Sequence, residues 1–290
     1  MRWRNGLLLV CFAVATMSAL AQVHCPERSL DSIDGTPTWR YGSAVVVSTS
    51  GLAVDADGAP DSYRVDGNGL SYTCDGVVAL DDRGRHINKK TDPDHWQQRC
   101  QEAWQKATAT GDYSKVAIFG FLTDPSTGHP IVQKEGDPFP GEAYVTTTLV
   151  SIPGAPPNTQ RSWINASEIP YVVLPSDFVK HYHVQPGALT IVYRPKTGSL
   201  AYAVYGDEGD LGEGSVKLHI ALQNNPIVLS RGVRRAKQGI ADTVIMAVFP
   251  AQPIKISPDV VAWNQAIENE GEQTIKKFGG MAVMKLCLKK

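Results

Sequence analysis

Short apolar runs separated by turn-forming residues recur along most of the chain. They lie at residues 43–48, 116–122, 143–150, 169–175, 189–193, 200–205 and 243–249. Runs of this length that are rich in Val, Ile and Tyr are typical of β-strands. Residues 194–198 join two of them and predict a hairpin, because Gly198 can adopt the left-handed conformation. The pattern therefore predicts a mainly β fold.

A polar segment at about 81–112 interrupts this pattern and predicts a helical insertion. Asp92 followed by Pro93 suits a helix start, since Asp caps well and Pro fits the first turn. Trp96, Cys100 and Trp104 recur every four residues. This spacing predicts one buried stripe, and we favour packing over sugar binding for both tryptophans.

Two more helices are predicted nearer the C-terminus. Residues 215–222 predict a short helix with Val216, Ile220 and Leu222 facing inward. The Ser-Pro-Asp sequence at 257–259 predicts a helix start, and the glycine pair at 279–280 predicts its end. Residues 281–288 then predict a last strand. The whole pattern indicates an α+β fold, mainly β with a few helices and with a C-terminal helix and strand at 257–288.

The N-terminus has the pattern of an export signal. Arg2 and Arg4 precede an apolar run at 7–20, and small residues flank Leu20. The run is shorter than the about 20 apolar residues of a membrane span. We therefore expect a signal peptide at 1–21 with cleavage after Ala21, a secreted or periplasmic protein, and no membrane attachment afterwards.

Four cysteines remain after that cleavage: Cys25, Cys74, Cys100 and Cys287. An even number in an oxidising compartment predicts two disulfides, with three possible pairings. We expect Cys74 with Cys100, and Cys25 with Cys287. Their wide spacing, without a C-x-x-C motif, disfavours a zinc site.

Composition narrows the class of partner. The formal net charge is −1, which provides no basic surface for nucleic acid. The chain contains no G-x-S-x-G elbow, Walker loop or dinucleotide loop, so neither a hydrolase of that type nor a cofactor is expected. Without a repeat or a linker, residues 22–290 predict a single domain.

The candidate chemistry lies in the acidic, glycine-rich loop at 205–215. It contains four acids: Asp207, Glu208, Asp210 and Glu213. Glycoside hydrolysis needs two carboxyl groups that face one bond, and Asp207 and Glu213 are spaced around a bend that could supply them. A solvated turn and a calcium loop are the alternatives, although the loop lacks the ligand alternation of an EF-hand. We expect no metal.

Several stretches resemble, in order, the chitosanases of glycoside hydrolase family 75. They are residues 54–60, 69–72, 137–138, 144–149, 169–175, 187–192, 202–207, 212–215 and 248–250. The resemblance covers a core of about 43–250. It implies that Asp207 and Glu213 are the catalytic carboxylates of an inverting enzyme, with a loop that is shorter here and has Glu208 and Asp210 as extra acids.

The hairpin followed by Asp-Gly is also similar to double-psi β-barrels of lytic transglycosylases and expansin-type domains. This similarity implies a double-psi-like β-barrel core of about six strands.

The resemblance leads to a secreted, endo-acting glycoside hydrolase that cleaves β-1,4 linkages of chitosan or a related amino-sugar polymer. We favour Glu213 as the acid and Asp207 as the base. The acids Asp55, Asp57, Glu208 and Asp210 would complement the cationic polysaccharide substrate. The rings of Tyr144, Tyr171 and Tyr205 either lie under sugar rings or pack in the core.

Two other functions stay open at this point. A muramidase or lytic transglycosylase would cleave peptidoglycan, which an exported protein also meets. A non-catalytic carbohydrate-binding protein would keep the acidic loop without using it for catalysis.

Overall fold

The computed structural model describes residues 28–33 and 36–286 of the chain. Strands dominate this part, as the apolar runs predict. They are β1 (Arg28–Ile33), β2 (Thr36–Tyr41), β3 (Ala44–Thr49), β4 (Ala53–Asp55), β5 (Val77–Leu80), β6 (His86–Ile87), β7 (Val116–Ile118), β8 (Tyr171–Leu174), β9 (Ala188–Arg194), β10 (Ser199–Glu208), β11 (Glu213–Ser215), β12 (Ile227–Ser230), β13 (Val233–Ala236) and β14 (Val244–Pro253).

Five helices accompany the strands in the described residues, which confirms the α+β class. They are α1 (Trp96–Thr110), α2 (Ser176–Tyr182), α3 (Val216–Ala221), α4 (Val260–Lys277) and α5 (Gly280–Leu286). None of the helices in this part of the chain is both long enough and apolar enough to cross a membrane.

Nine strands form one mixed sheet in the order β1-β2-β3-β14-β9-β10-β8-β11-β4. Most neighbours are antiparallel, including the β9–β10 hairpin, where Gly198 adopts a φ of +72° as predicted. Two pairs are parallel, β10 with β8 and β11 with β4. Within the described residues β1 and β4 stand at opposite ends of this order, and no strand pairing closes it into a barrel.

Apolar side chains cover both faces of the sheet, because successive residues of a strand point to opposite faces. On one face Ile191 and Ala247 belong to the same core as Trp263 of α4. On the other face Val192 lies in a core with Phe178 of α2. This double burial accounts for the largely apolar central strands β8, β9 and β14, and the acids of β10 lie at its end.

The predicted insertion forms a small unit beside the main sheet. Helix α1 lies within 81–112 and packs on the sheet β6-β5-β7. The predicted disulfide between Cys74 and Cys100 is present, with a Cα–Cα distance of 6.0 Å. Cys100 and Trp104 are buried, whereas Trp96 is only half-buried. The second predicted pair, Cys25 with Cys287, and the signal peptide lie outside the described residues.

Three predicted helices differ in detail from the sequence pattern. Helix α1 begins at Trp96 with His95 as its cap, and not at Asp92 and Pro93 as expected. Helix α4 begins two residues later than expected, because Asp259 is its cap and accepts hydrogen bonds from the amides of Val261 and Ala262 at 3.0 Å. In α3 the predicted inward position of Ile220 is wrong, since its side chain is 54% exposed. Leu218 is buried in its place, one helical turn before Leu222.

The strand predicted at 281–288 is wrong for its described part, because Gly280–Leu286 forms helix α5. Val283 and Met284 are buried there, and Met284 joins the core that α4 also lines. The segment is rich in Met, Ala, Lys and Leu, which favour helix. Its apolar run is as compatible with a helix as with a strand.

Candidate functional site

The two predicted catalytic acids lie on either side of one strand. Asp207 of β10 and Glu213 of β11 are both paired with Val173 of β8, which runs between them. Two strand spacings separate their backbones by about 10 Å. A bulge at Gly206 precedes Asp207. The position is occupied by glycine because a Cβ there would lie only 2.7 Å from the Cβ of Tyr171.

Two further acids reach the same place, Asp55 from the end of β4 and Asp57 from the turn after it. The Asp55 carboxylate accepts a hydrogen bond from the amide of Asp57 at 2.8 Å, which shapes this turn. Oxygen atoms of Asp55, Asp57 and Asp207 all lie within 4.8 Å of one another. The structure therefore brings together acids that are about 150 residues apart in the chain.

Two buried tyrosines stabilise the Asp55–Asp57 turn from the interior of the protein. The hydroxyl of Tyr171 donates a hydrogen bond to the backbone carbonyl of Asp57 at 2.8 Å, and its proximity to Asp55 opposes the rise that burial causes in the pKa of that carboxyl. The hydroxyl of Tyr63 bonds the Asp57 carboxyl. The ring of Tyr63 lies against Gly76 and Gly120, where a Cβ would approach it to 2.7 Å.

Tyr63 is not among the site residues that the sequence predicts. Its only visible sign would have been the two distant glycines that fit its ring, and nothing in the local sequence connects them to it.

Backbone amides fix the Asp207 carboxylate. Its Oδ1 atom accepts hydrogen bonds from the amides of Leu149 and Glu208, each at 2.8 Å. Glu213 has a different setting, because its Oε2 atom lies beside Gly209, where a Cβ would come within 3.4 Å. Its carboxyl also bonds the backbone of Asp210. Asp207 is thus held both by its own loop and by the segment that contains Leu149, whereas Glu213 lies against its own loop.

Burial and mutual repulsion keep protons on these acids. Burial, followed by the charge of Asp55, raises the pKa of Asp207 to about 8, although its backbone hydrogen bonds oppose the rise. Burial, followed by the charges of Asp55 and Asp210, raises the pKa of Glu213 to about 7. The pKa of Asp57 lies well above its usual value for the same reasons. Carboxyls that stay protonated near neutral pH are suited to general acid catalysis.

The acids line an open cleft of about 1230 Å³. The ion pairs within the described part of the chain involve none of Asp55, Asp57, Asp207 and Glu213. The cation that lines the cleft, Lys237, directs its Nζ atom to the Ser230 hydroxyl at 3.0 Å. These four acids therefore have no ion-pair partner among the described residues, and a cationic ligand in the cleft would favour their ionised forms.

The other predicted binding residues divide into two groups. Glu208 and Asp210 are exposed and line the cleft. The three predicted tyrosines pack in the core and do not lie under sugar rings. Tyr144 stacks on Phe121 with ring centroids 4.5 Å apart, and Tyr171 and Tyr205 are fully buried. Their ring faces are not available to a sugar, and of the three only Tyr171 serves the site, through its hydroxyl.

The Asp55–Asp57–Asp207 cluster has the ligand type and spacing that a divalent cation could use, since hard cations prefer carboxylate oxygens. The same closeness also explains shared protons, because three carboxylates in contact cannot all be ionised cheaply. The effect of a chelator on activity distinguishes a bound divalent cation from protons shared among the three carboxyls.

A second cavity, of about 400 Å³, lies between the loop at 152–165 and the start of α4. It is lined mostly by apolar residues, including Trp163 and Trp263, and its charged lining residues are Arg161 and Glu168. A single carboxyl cannot provide the paired acid and base of glycoside hydrolysis. The acidic cleft is therefore the candidate active site.

No family model matches the chain, and no curated protein matches its sequence. The resemblance to family 75 chitosanases thus stays a prediction that rests on the short ordered stretches given above.

Proposed function

We propose that the protein is a secreted, endo-acting and inverting glycoside hydrolase that cleaves β-1,4 linkages of chitosan or a related amino-sugar polymer. The observation that carries the proposal is the placement of Asp207 and Glu213 on either side of Val173, in one acidic cleft. Inverting enzymes need carboxyls about 6.5–9.5 Å apart so that a water molecule fits, and backbones two strand spacings apart are compatible with this requirement.

The surroundings of the two acids favour one assignment of roles. The pKa values alone, about 8 for Asp207 and about 7 for Glu213, would make Asp207 the group that retains its proton longer, so our assignment of Glu213 as the acid depends on the amide donors of Asp207 and on the charge of the substrate. Two amide donors on Asp207 stabilise its ionised form, which a general base needs. Glu213, with a pKa of about 7, retains its proton into the range where an acid catalyst works. Glu213 therefore donates its proton to the glycosidic oxygen as the bond from that oxygen to C1 breaks. Asp207 takes a proton from the water whose oxygen bonds C1 from the opposite face.

The raised pKa of Asp207 links the reaction to a cationic substrate. Asp207 must be ionised to act as the base, yet its burial and the charge of Asp55 hold its pKa near 8. An ammonium group placed beside the Asp55–Asp57–Asp207 cluster lowers these pKa values, because an opposite charge favours the ionised form. A glucosamine unit provides such a group, so the substrate itself prepares the base.

The double-psi-like barrel belongs to the same proposal. The two parallel pairs within an otherwise antiparallel sheet support it. Leu52, just before β4, also exchanges backbone hydrogen bonds of 2.9 and 2.8 Å with Ile240, just before β14. This contact curls one end of the sheet back towards its middle. Export is supported by the Cys74–Cys100 disulfide, since such bonds persist in oxidising compartments.

Isosteric substitutions test the two acids directly. We expect Asp207→Asn and Glu213→Gln to fold normally and to lose about 10²- to 10⁴-fold in the rate of reducing-sugar release from chitosan. Glu135→Gln is the matched control, because Glu135 is exposed and outside the cleft. Wild-type rates in both Asp207→Asn and Glu213→Gln would contradict the proposal.

The same assay is run on chitin and on peptidoglycan, and with EDTA. If the protein releases sugar from peptidoglycan and not from chitosan, peptidoglycan is the substrate and chitosan is not. Because the two carboxyls provide both proton transfers, activity should persist in EDTA. A loss that added divalent cation restores would assign the three-aspartate cluster to a metal and contradict the proposed mechanism.

A further inference from the structure

Exposed aromatic rings line the acidic cleft. Phe119 is 58% exposed and Tyr72 is 44% exposed, and both line it. Trp96, for which the sequence favoured packing, is only half-buried at the start of α1 and lines the cleft as well. Large apolar side chains at a polar cleft cost solvation unless a ligand covers them, so their grouping at one place indicates a binding surface. We call Tyr72, Trp96 and Phe119 the aromatic wall.

Covalent and backbone links hold the aromatic wall together. The Cys74–Cys100 disulfide ties α1, which begins at Trp96, to the chain two residues after Tyr72. The amide of Phe119 donates a hydrogen bond of 2.9 Å to the carbonyl of Gly76. The backbone segments that carry the three rings are therefore linked to one another, which limits how far the rings can move apart before a ligand binds.

Tyr72 is positioned by an arginine that serves no carboxylate of the catalytic pair. The guanidinium of Arg235 lies 4.3 Å from the centroid of the Tyr72 ring. It is anchored by hydrogen bonds to the carbonyls of Gly67, Gly69 and Ser71 at 2.9, 2.7 and 2.9 Å. Because the buried Arg235 binds three backbone carbonyls, it fixes this loop and also the Tyr72 ring that it contacts.

We infer that the aromatic wall is a sugar-binding subsite of the acidic cleft, which takes the apolar faces of hexosamine rings. Aromatic rings pack against apolar surface and also attract cations, so they suit a sugar with an apolar face and an ammonium group. The acids at the strand ends take the charge of the same polymer. This inference rests on the proposed function and names how its substrate is held.

Two truncations test the aromatic wall. Trp96→Ala and Phe119→Ala should each raise the KM for chitosan about 10-fold with little change in kcat, because they remove contact area rather than a reacting group. Trp96→Phe and Phe119→Tyr keep a ring and should restore most of the affinity. Leu229→Ala is the control, since Leu229 is 74% exposed and outside the cleft, and its KM should equal that of the wild type.

A binding experiment separates this inference from the proposed function. A chitosan oligosaccharide is titrated into the Asp207→Asn protein, alone and combined with each wall substitution, and its affinity is measured by calorimetry. Weaker binding in the Ala variants supports the subsite even where the wild-type protein releases no sugar, in which case only the proposed function fails. The wild-type protein could instead hydrolyse chitosan while the Trp96→Ala and Phe119→Ala variants keep a normal KM and a normal affinity. That result would overturn the subsite and leave the proposed function intact. A protein that neither binds nor cleaves chitosan would overturn both.

Discussion

At the scale of the residue, Asp207 is under opposing influences. Burial and the neighbouring Asp55 favour its neutral form, whereas the amides of Leu149 and Glu208 favour its charged form. Burial and the charge of Asp55 outweigh the two amides, so the pKa of Asp207 rises to about 8. The folded protein therefore binds more protons than the unfolded chain between about pH 4 and pH 8. Across that window the free energy of unfolding falls as the pH rises, so the site costs stability at neutral pH.

Asp207→Asn removes this cost and should stabilise the protein. We expect its free energy of unfolding to exceed that of the wild type by about 0.5–2 kcal/mol near pH 8, with almost no difference at about pH 3, below the usual pKa of an aspartate, where the wild-type carboxyl is largely protonated in both states. Urea unfolding at the two pH values measures this. Glu270→Gln, on the exposed surface of α4, should have little effect at either pH. Equal effects of Asp207→Asn at both pH values would contradict the burial argument.

At the scale of the element, the turn after β4 depends on Gly58. Its φ is +80°, and a Cβ there would lie 1.7 Å from the carbonyl oxygen of Ile164. Its amide bonds the hydroxyl of Thr146 at 3.1 Å, and its carbonyl accepts from Gln160 at 2.9 Å. This packing fixes Asp57, the residue before it, and so places the turn against β10.

Gly58→Ala should therefore be far more damaging than an ordinary substitution at positive φ. Gly67→Ala is the matched control, because Gly67 has a φ of +74° and open space around its Cβ position. The control should cost about 1–2 kcal/mol of stability from backbone strain alone. Gly58→Ala should cost clearly more and should also abolish sugar release. Equal losses of stability in the two variants, by urea unfolding, would contradict the close packing.

The sequence was most informative at this scale. The strands at 189–193 and 200–205, with Gly198 between them, and the Cys74–Cys100 pair follow from local patterns and are confirmed. The last strand was wrong because its apolar run fits a helix equally well, and packing against the core decides between them. Tyr63 was missed because its role comes from contacts with distant segments.

At the scale of the whole molecule, the formal net charge of −1 conceals a strong local field. Asp55, Asp57, Asp207 and Glu213 share one cleft, and Glu208 and Asp210 extend it towards solvent. Composition could not predict this concentration, because the acids come from separate strands that only the sheet order brings together. Under the proposed function, this concentration of acids is what favours a cationic substrate, although the protein as a whole is almost neutral.

The stereochemistry of the product tests the central claim most directly. Proton NMR of a chitosan oligosaccharide, recorded immediately after the wild-type protein is added, shows which anomer forms first. With Asp207 directing water to C1 from the face opposite the β-linked leaving group, the first product should be the α-anomer, followed by slow mutarotation. A β-anomer as the first product would contradict the acid–base pair across Val173, and the absence of any cleavage would contradict the proposed function.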